Sequence, residues 1–447
     1  MNLRGRVFIS TKMEKSLLQI FRSTFSLLSI LVVMLVGSYG EPSARSYQID
    51  EISTFKQLYD GKRYFELREA IEHHSGKTDR RLFFFRGALA NVYNQPKLSA
   101  KYLGQYISQA RNDDAWLPDV YAILADDFVK TYDYAKAIAA YRTLLDRFRQ
   151  KLQPDEIKGY ENVIALYGAF RATPRQTVTA GADSKAGEPS AEHGWSVAVE
   201  ANGQRVMLGL DTGADLSLLA KSVAEKLGVR ILDTSAKFGS ITSINVRTKV
   251  GVLPVMKIGK AVIRNAIFIV MDDQALTFPD GSMITGVIGF PVIAGLRQIT
   301  FNNDGTVSIP HRPNVGGKPN MCLDGSKILF RGEYENTGLT FVLDTGAQRS
   351  ILYLPFLQAF ESEIKSKYDI RNEKFTGIGG SEETPAYIVR DFTLRLSGRG
   401  VRLPEIRLLT KALTDNGKHF YGNIGQDLIK HFRRMTLDFV SMRIAFE

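Results

Sequence analysis

Asp211-Thr212-Gly213 and Asp344-Thr345-Gly346 are the residues of this 447-residue chain best suited to chemistry. Each triplet closes an apolar run, Leu208-Gly209-Leu210 in the first case and Phe341-Val342-Leu343 in the second. Two carboxylates buried side by side share one proton, and such a pair can activate water against a peptide bond. A single triplet is also ordinary turn chemistry, in which Asp caps the turn and Gly takes a positive φ. The repeat is what points to a pair.

More than the triplet is repeated. Both copies continue with Ala, two further residues and Ser: Ala214-Asp215-Leu216-Ser217 and Ala347-Gln348-Arg349-Ser350. Gly286-Val287-Ile288-Gly289 ends 78 residues past Asp211, and Gly422-Asn423-Ile424-Gly425 ends 81 residues past Asp344. A terminal strand pattern follows each, Gln298-Ile299-Thr300-Phe301 and Arg434-Met435-Thr436-Leu437. Motifs repeated in one order at nearly one spacing indicate an internal duplication.

Composition narrows the alternatives. The single cysteine, Cys322, excludes an intrachain disulfide and a cysteine-based metal site. His73-His74 has no partner at metal spacing, and Gly76-Lys77-Thr78 has Ile71 where a phosphate loop needs glycine. No metal and no cofactor are expected. The net charge of +11 is spread out, with +4 of it before Phe25 and no basic run of the kind that reads nucleic acid.

The motifs resemble those of aspartic proteases of the pepsin and retropepsin type, over residues 190–447. In that family each lobe carries hydrophobic-Asp-Thr/Ser-Gly and, later, a hydrophobic-hydrophobic-Gly strand that braces the Asp loop. The resemblance implies a catalytic pair, Asp211 and Asp344, with Thr212, Gly213, Thr345 and Gly346 as motif support. It implies brace strands at Ile288, Gly289, Ile424 and Gly425, with Asn423 standing where the family has an apolar residue. Asp-Thr-Gly-Ala is the retroviral form of the motif. Asp215 fits a carboxylate that helps bind substrate backbone, whereas Gln348 departs from it. Gly377-Ile378-Gly379-Gly380 resembles a glycine-rich flap tip that bends over substrate, and Phe238-Gly239-Ser240-Ile241 holds the corresponding place in the first lobe. The reaction implied is hydrolysis of a protein or peptide substrate by an exported endopeptidase. The alternative is a catalytically inactive peptide-binding or scaffold protein. Ala214 and Ala347 replace the hydroxyl residue of pepsin-type sites, so the pair loses a donor to its charged form. An optimum of about pH 5–6 is expected.

The elements that must position these residues divide the chain. Residues 195–310 and 326–447 read as two all-β lobes, joined by a linker at 311–325. Each opens with a hairpin pattern before its triplet, with turns at Asn202-Gly203 and Asn336 to Gly338. Short helices are expected after each motif, at about Ser217–Leu227 and Leu354–Tyr368. Residues 47–171 carry helical periodicity. Leu67, Ala100 and Ala137 hold equivalent places at spacings of 33 and 37, near the 34-residue period of tetratricopeptide repeats. Such a domain would offer a surface to a protein partner. Residues 172–194, rich in Ala, Gly, Ser, Thr and Pro, read as a flexible linker. At the N-terminus, Phe25 to Val36 is apolar, basic residues precede it, and Ser38 and Gly40 suit a cleavage site. Residues 1–40 therefore read as a secretory signal, periplasmic in a Gram-negative source, with an uncleaved inner-membrane anchor as the alternative. The expected architecture is multidomain: an all-α tetratricopeptide-like domain, then an all-β bilobal protease of two retropepsin-like lobes with pseudo-twofold symmetry. One chain would form the whole site as a monomer.

Overall fold

The computed structural model describes residues 51–447 except 75–78, 191–193, 240–243, 247, 279–280, 315 and 378–379. The expected signal, 1–40, lies outside the described residues, as do Ser240, Ile241, Ile378 and Gly379 of the expected flaps.

Seven α-helices come first: α1 (Glu51–Asp60), α2 (Tyr64–Glu72), α3 (Arg81–Val92), α4 (Pro96–Gln109), α5 (Leu117–Lys130), α6 (Tyr134–Phe148) and α7 (Pro154–Ala169). Consecutive helices pack on one another. Phe84, Phe85, Leu103, Tyr106 and Val120 form the core of the array. Gly87 of α3 permits its close approach to α4, since a Cβ there would lie 2.5 Å from Leu103 Cδ2. The first three pairs turn in one way. Lys62, Asn94 and Tyr132 each take a positive φ, of 54°, 56° and 57°. The residue after each donates to a carbonyl five positions back: Arg63 to Leu58, Gln95 to Ala90, and Asp133 to Phe128. This ties off the last carbonyls of each first helix.

The rest of the chain is β-rich and barrel-forming. Gly194–Ala201 pairs with Gln204–Leu210, and Lys327–Tyr334 with Thr337–Leu343. The first turn, Asn202-Gly203, has φ of 50° and 70°. The second falls at Glu335-Asn336, one residue earlier than expected, with φ of 46° and 64°. Both have the twist that hairpins favour. From these hairpins the two large sheets run in the same order. In one, Gln204–Leu210 is followed by Gly286–Ile288, Ser217–Ala220, Ala261–Met271 and Lys249–Ile258. In the other, Thr337–Leu343 is followed by Gly422–Ile424, Ile351–Leu352, Arg399–Leu409 and Gly380–Leu396. Each sheet then closes on itself, through Ile258↔Val199 and Glu333↔Arg395. A further five-stranded sheet joins the two halves. Its central pair is Gln298–Asn302 against Arg434–Asp438, with the Thr300 and Thr436 hydroxyls 2.9 Å apart.

Three expectations change. Residues 172–194 are not a free tether, because Thr177–Ala180 pairs with Ala261–Met271, Ser184–Ala186 with Val307–Ile309, and Glu188–Ser190 with Gly194–Ala201. Small polar residues suffice there, since strands at a sheet margin hold by backbone hydrogen bonds and need little apolar area. The inter-lobe segment 311–325 likewise ends in a strand, Met321–Asp324, paired with Lys327–Phe330. The first expected helix, at about 217–227, begins as the strand Ser217–Ala220 and becomes helical only over Lys221–Leu227.

The helical array also docks on both lobes. Its three left-handed turn residues all reach across. Lys62 bonds Asp324 at 2.8 Å and Asp415 at 2.9 Å, Asn94 donates to Phe439 O at 3.1 Å, and Tyr132 donates to Pro291 O at 2.8 Å. Leu166 and Phe170 pack with Leu216, Ala236 and Val252 of the first lobe.

Within the array, Asp127 is buried beneath Asn91, Ser99 and Lys130. Its Oδ2 makes no hydrogen bond. Burial pushes its carboxyl up to about 7, against the opposing effects of Ser99, Asn91 and Lys130. A carboxyl with a raised folded-state value binds its proton more tightly when folded. Its contribution is therefore fully present below the unfolded value of about 4 and is lost as pH rises toward 7. Asp127→Asn should raise the melting temperature by about 2–4 °C at pH 8 and leave it unchanged at pH 4. Thermal melts at the two pH values check this.

Candidate active site

The two Asp-Thr-Gly loops meet where the sheets face each other. Each loop starts as its strand leaves the sheet, held by a parallel brace strand. Asp211 N donates to Ile288 O and Asp344 N to Ile424 O, both at 3.0 Å. The brace glycines are required by space. A Cβ on Gly289 or Gly425 would lie 2.6 Å from a carbonyl oxygen, of Leu216 and Ala347 respectively. The repeated serines also have a function that their spacing alone did not show. Ser217 Oγ accepts from Gly289 N at 3.0 Å, and Ser350 Oγ from Gly425 N at 2.9 Å. Each serine thus ties the far end of its loop to the brace.

The loops are then locked to each other. Thr212 N donates to Thr345 Oγ1 and Thr345 N to Thr212 Oγ1, both at 3.0 Å. Each hydroxyl donates onward to the opposite strand, Thr212 Oγ1 to Leu343 O at 3.2 Å and Thr345 Oγ1 to Leu210 O at 2.8 Å. Both threonines are buried, and these bonds satisfy their hydroxyls and amides.

This lock brings Asp211 and Asp344 together. A Cβ on Gly213 would lie 2.7 Å from Asp344 Cγ, and one on Gly346 would strike the Asp211 carboxyl. Each Oδ1 accepts two backbone N–H groups. Asp211 receives Gly213 at 2.8 Å and Ala214 at 3.1 Å; Asp344 receives Gly346 at 2.9 Å and Ala347 at 3.0 Å. Burial and the neighbouring Asp344 charge push the Asp211 carboxyl up to about 7, opposed by the Gly213 and Ala214 amides and by Lys327. Such a pair retains one proton into the neutral range and holds an acid and a base in one place.

Other expected residues fall less symmetrically. Asp215 is exposed, and its carboxylate is held from the second lobe by Lys327 Nζ at 2.6 Å and by the Ser326 hydroxyl. Lys327 also donates to Gly213 O at 2.7 Å. Sequence reasoning missed this lysine, because nothing in its own neighbourhood marks it. Gly377 and Gly380 face each other at the tip of the hairpin formed by Ile370–Gly377 and Gly380–Leu396. In the first lobe the strand beside Lys249–Ile258 is Arg230–Leu232, and between the two in sequence Phe238–Gly239 pairs with Ile244–Val246 as a separate hairpin. The root of that hairpin is fastened to α7. Lys237 N donates to Asn162 Oδ1 at 2.6 Å, and Asn162 Nδ2 donates to Lys237 O at 2.8 Å. Among the described residues no cluster of His, Cys, Asp and Glu could hold a metal ion.

No curated protein matches this chain. Two solved structures are similar to parts of it. The EIAV protease in complex with an inhibitor is 20% identical over 27% of this chain and 92% of its own, with a TM-score of 0.17. Basic 7S globulin from soybean is 9% identical over 61% of this chain and 96% of its own, with a TM-score of 0.34. Residues 197–292, which run from the first hairpin through Asp211 and its brace, match the model of the aspartyl protease family.

Proposed function

We propose that this chain is an aspartic endopeptidase that hydrolyses protein or peptide substrates with one aspartate from each lobe, Asp211 and Asp344. The observation that carries the reading is the crosswise threonine lock, which sets the two carboxylates against each other's glycines. In this reading the lobes are retropepsin-like, related by a pseudo-twofold axis, and one chain forms the whole site. The pair shares one proton. A water between the carboxylates loses a proton to the charged aspartate and attacks the scissile carbonyl carbon. The protonated aspartate hydrogen-bonds the carbonyl oxygen as it becomes a tetrahedral alkoxide. Collapse of that intermediate expels the amine, which takes up a proton from the pair. No covalent enzyme intermediate forms.

The remaining parts of the reading concern placement. The N-terminal segment would direct export, and no described helix is long and apolar enough to cross a membrane. The helical array, tetratricopeptide-like in this reading, would brace the lobes with one edge and offer the rest of its surface to a protein partner. Gly377 and Gly380 would belong to a flap over the cleft.

Asp211→Asn and Asp344→Asn should each lower kcat/KM for a cleaved peptide by about a thousandfold or more, since each removes one member of the acid–base pair. The melting temperature should not fall, because a buried charge is removed. Full activity in either variant overturns the pairing. A peptide library left uncut by the wild type favours the scaffold alternative.

The pH dependence follows from the Asp211 carboxyl at about 7. Above that value the pair loses its remaining proton and with it the acid. Below the first ionisation both carboxyls are protonated and the base is lost. The kcat/KM profile should therefore peak at about pH 5–6 and fall as pH passes 7. A maximum near pH 2 would contradict this.

A further inference from the structure

The two carboxyls of the site differ in the side-chain hydrogen bonds that they receive. In the first brace strand Val287 stands beside the strand that leads to Asp211, paired with Gly209, and offers no donor. In the second, Asn423 holds the corresponding place, paired with Val342, and its Nδ2 donates to Asp344 Oδ2 at 2.9 Å. Asn423 is only 9% exposed, so this amide has little water to bond instead. Each Oδ1 already receives two backbone N–H groups, so that contribution is equal on the two sides. Among the described residues, none donates to Asp211 Oδ2.

We propose that Asn423 is a positioning residue that assigns the shared proton: its amide holds the negative charge on Asp344 and leaves the proton on Asp211. This rests on the protease reading and deepens it. Asp344 is then the base that takes the proton from water, and Asp211 is the acid that faces the substrate carbonyl. A hydrogen bond to the charged form of a carboxyl favours that form, most strongly where water is scarce. Burial of the Asp211 carboxyl acts in the same direction.

The surrounding charged groups do not reverse this. Lys327 favours charge on Asp211, but its Nζ is paired with the Asp215 carboxylate at 2.6 Å. Tyr353, half-buried near Asp344, is pushed far above its ordinary value by desolvation and by the Asp344 charge and stays neutral. Asp427 is engaged by the Ser350 hydroxyl and amide.

The bond makes a selective prediction. Asn423 can donate in both the singly and the doubly charged pair, so it eases only the first ionisation. In Asn423→Val the first ionisation should rise by about one pH unit while the second stays in place. Carboxyl-carbon NMR of the full chain labelled at aspartate reads both, with Asp211→Asn and Asp344→Asn assigning the signals. In turnover, only the acid limb of kcat/KM should move. At pH 4, kcat should fall about tenfold with KM within twofold. A merely structural asparagine would move neither ionisation, or would move both together. A folded Asn423→Val whose first ionisation is unchanged overturns the proposal. If that variant does not fold, Val287→Asn carries the test. It gives Asp211 a matching donor and should lower the second ionisation by about one unit, and no change there also overturns the proposal. The NMR arm needs no turnover. A chain that cleaves nothing would therefore defeat the protease reading while still testing this one.

Discussion

The structure depends on one constraint: two half-buried carboxylates that repel each other must be kept together. The crosswise bonds of Thr212 and Thr345 do this. Each hydroxyl accepts from the opposite loop and donates to the opposite strand, so neither loop reaches its own geometry without the other. Substituting either hydroxyl removes the acceptor of a buried N–H in the opposite loop, and an unpaired group of that kind costs about 1–3 kcal/mol. The glycines follow from the same constraint, because any side chain at 213 or 346 would occupy the space of the opposite carboxyl. The braces come next. They fix where each strand ends, and therefore where each carboxyl points.

The joint between the lobes could shear, and the fold resists this twice. The central five-stranded sheet pairs Gln298–Asn302 of the first lobe with its counterpart in the second, Arg434–Asp438. On top of that, the turns of the helical array are fastened at Asp324 and Asp415, at Phe439 and at Pro291, a series that spans both lobes. The ion pairs in this contact are partly solvated and contribute little each. The buried contact of Leu166 and Phe170 with Leu216 and Val252 contributes more, through apolar area removed from water. The array is therefore fastened to both lobes at positions outside the carboxyl pair. The Asn162 bonds to Lys237 add a contact at the root of the first hairpin.

Much of this could be read from the sequence, for physical reasons that differ by element. The triplets, braces and leading hairpins were legible because tight turns and buried parallel strands admit few residue types. The repeated serines were visible as a pattern, but their bond to the brace glycine joins residues 72 and 75 positions apart and leaves no local signal. The strands of 177–190 were missed because each spans only three or four residues, too few for an alternating pattern to stand out among Gly, Ser, Thr and Pro. Lys327 was missed because its importance arises only when the second lobe meets the Asp215 loop. Asn423 is visible in the sequence only as an exception. It departs from an apolar consensus, and only the position of Asp344 Oδ2 shows what the departure provides.

That departure makes one side of the carboxyl pair chemically unlike the other. The repeated parts are mostly backbone: the N–H groups on each Oδ1, the brace pairing and the glycine contacts. Main-chain geometry tolerates side-chain change, so the two loops share these bonds while their side chains differ. Divergence is concentrated around the carboxyls. Val287 faces Asn423 in the order of the fold, Phe290 faces Gln426, and Asp215 faces Gln348. Gln426 is buried and donates to Thr345 O at 2.7 Å, a bond that Phe290 has no means to make. Lys327 reaches the first loop from the second lobe, where the first lobe has Gly194 in register. A symmetric pair would leave the proton equally on either aspartate, yet hydrolysis needs an acid on one side of the bond and a base on the other. On the assignment proposed above, the Asn423 amide beside Asp344 would remove that degeneracy without touching the lock that holds both.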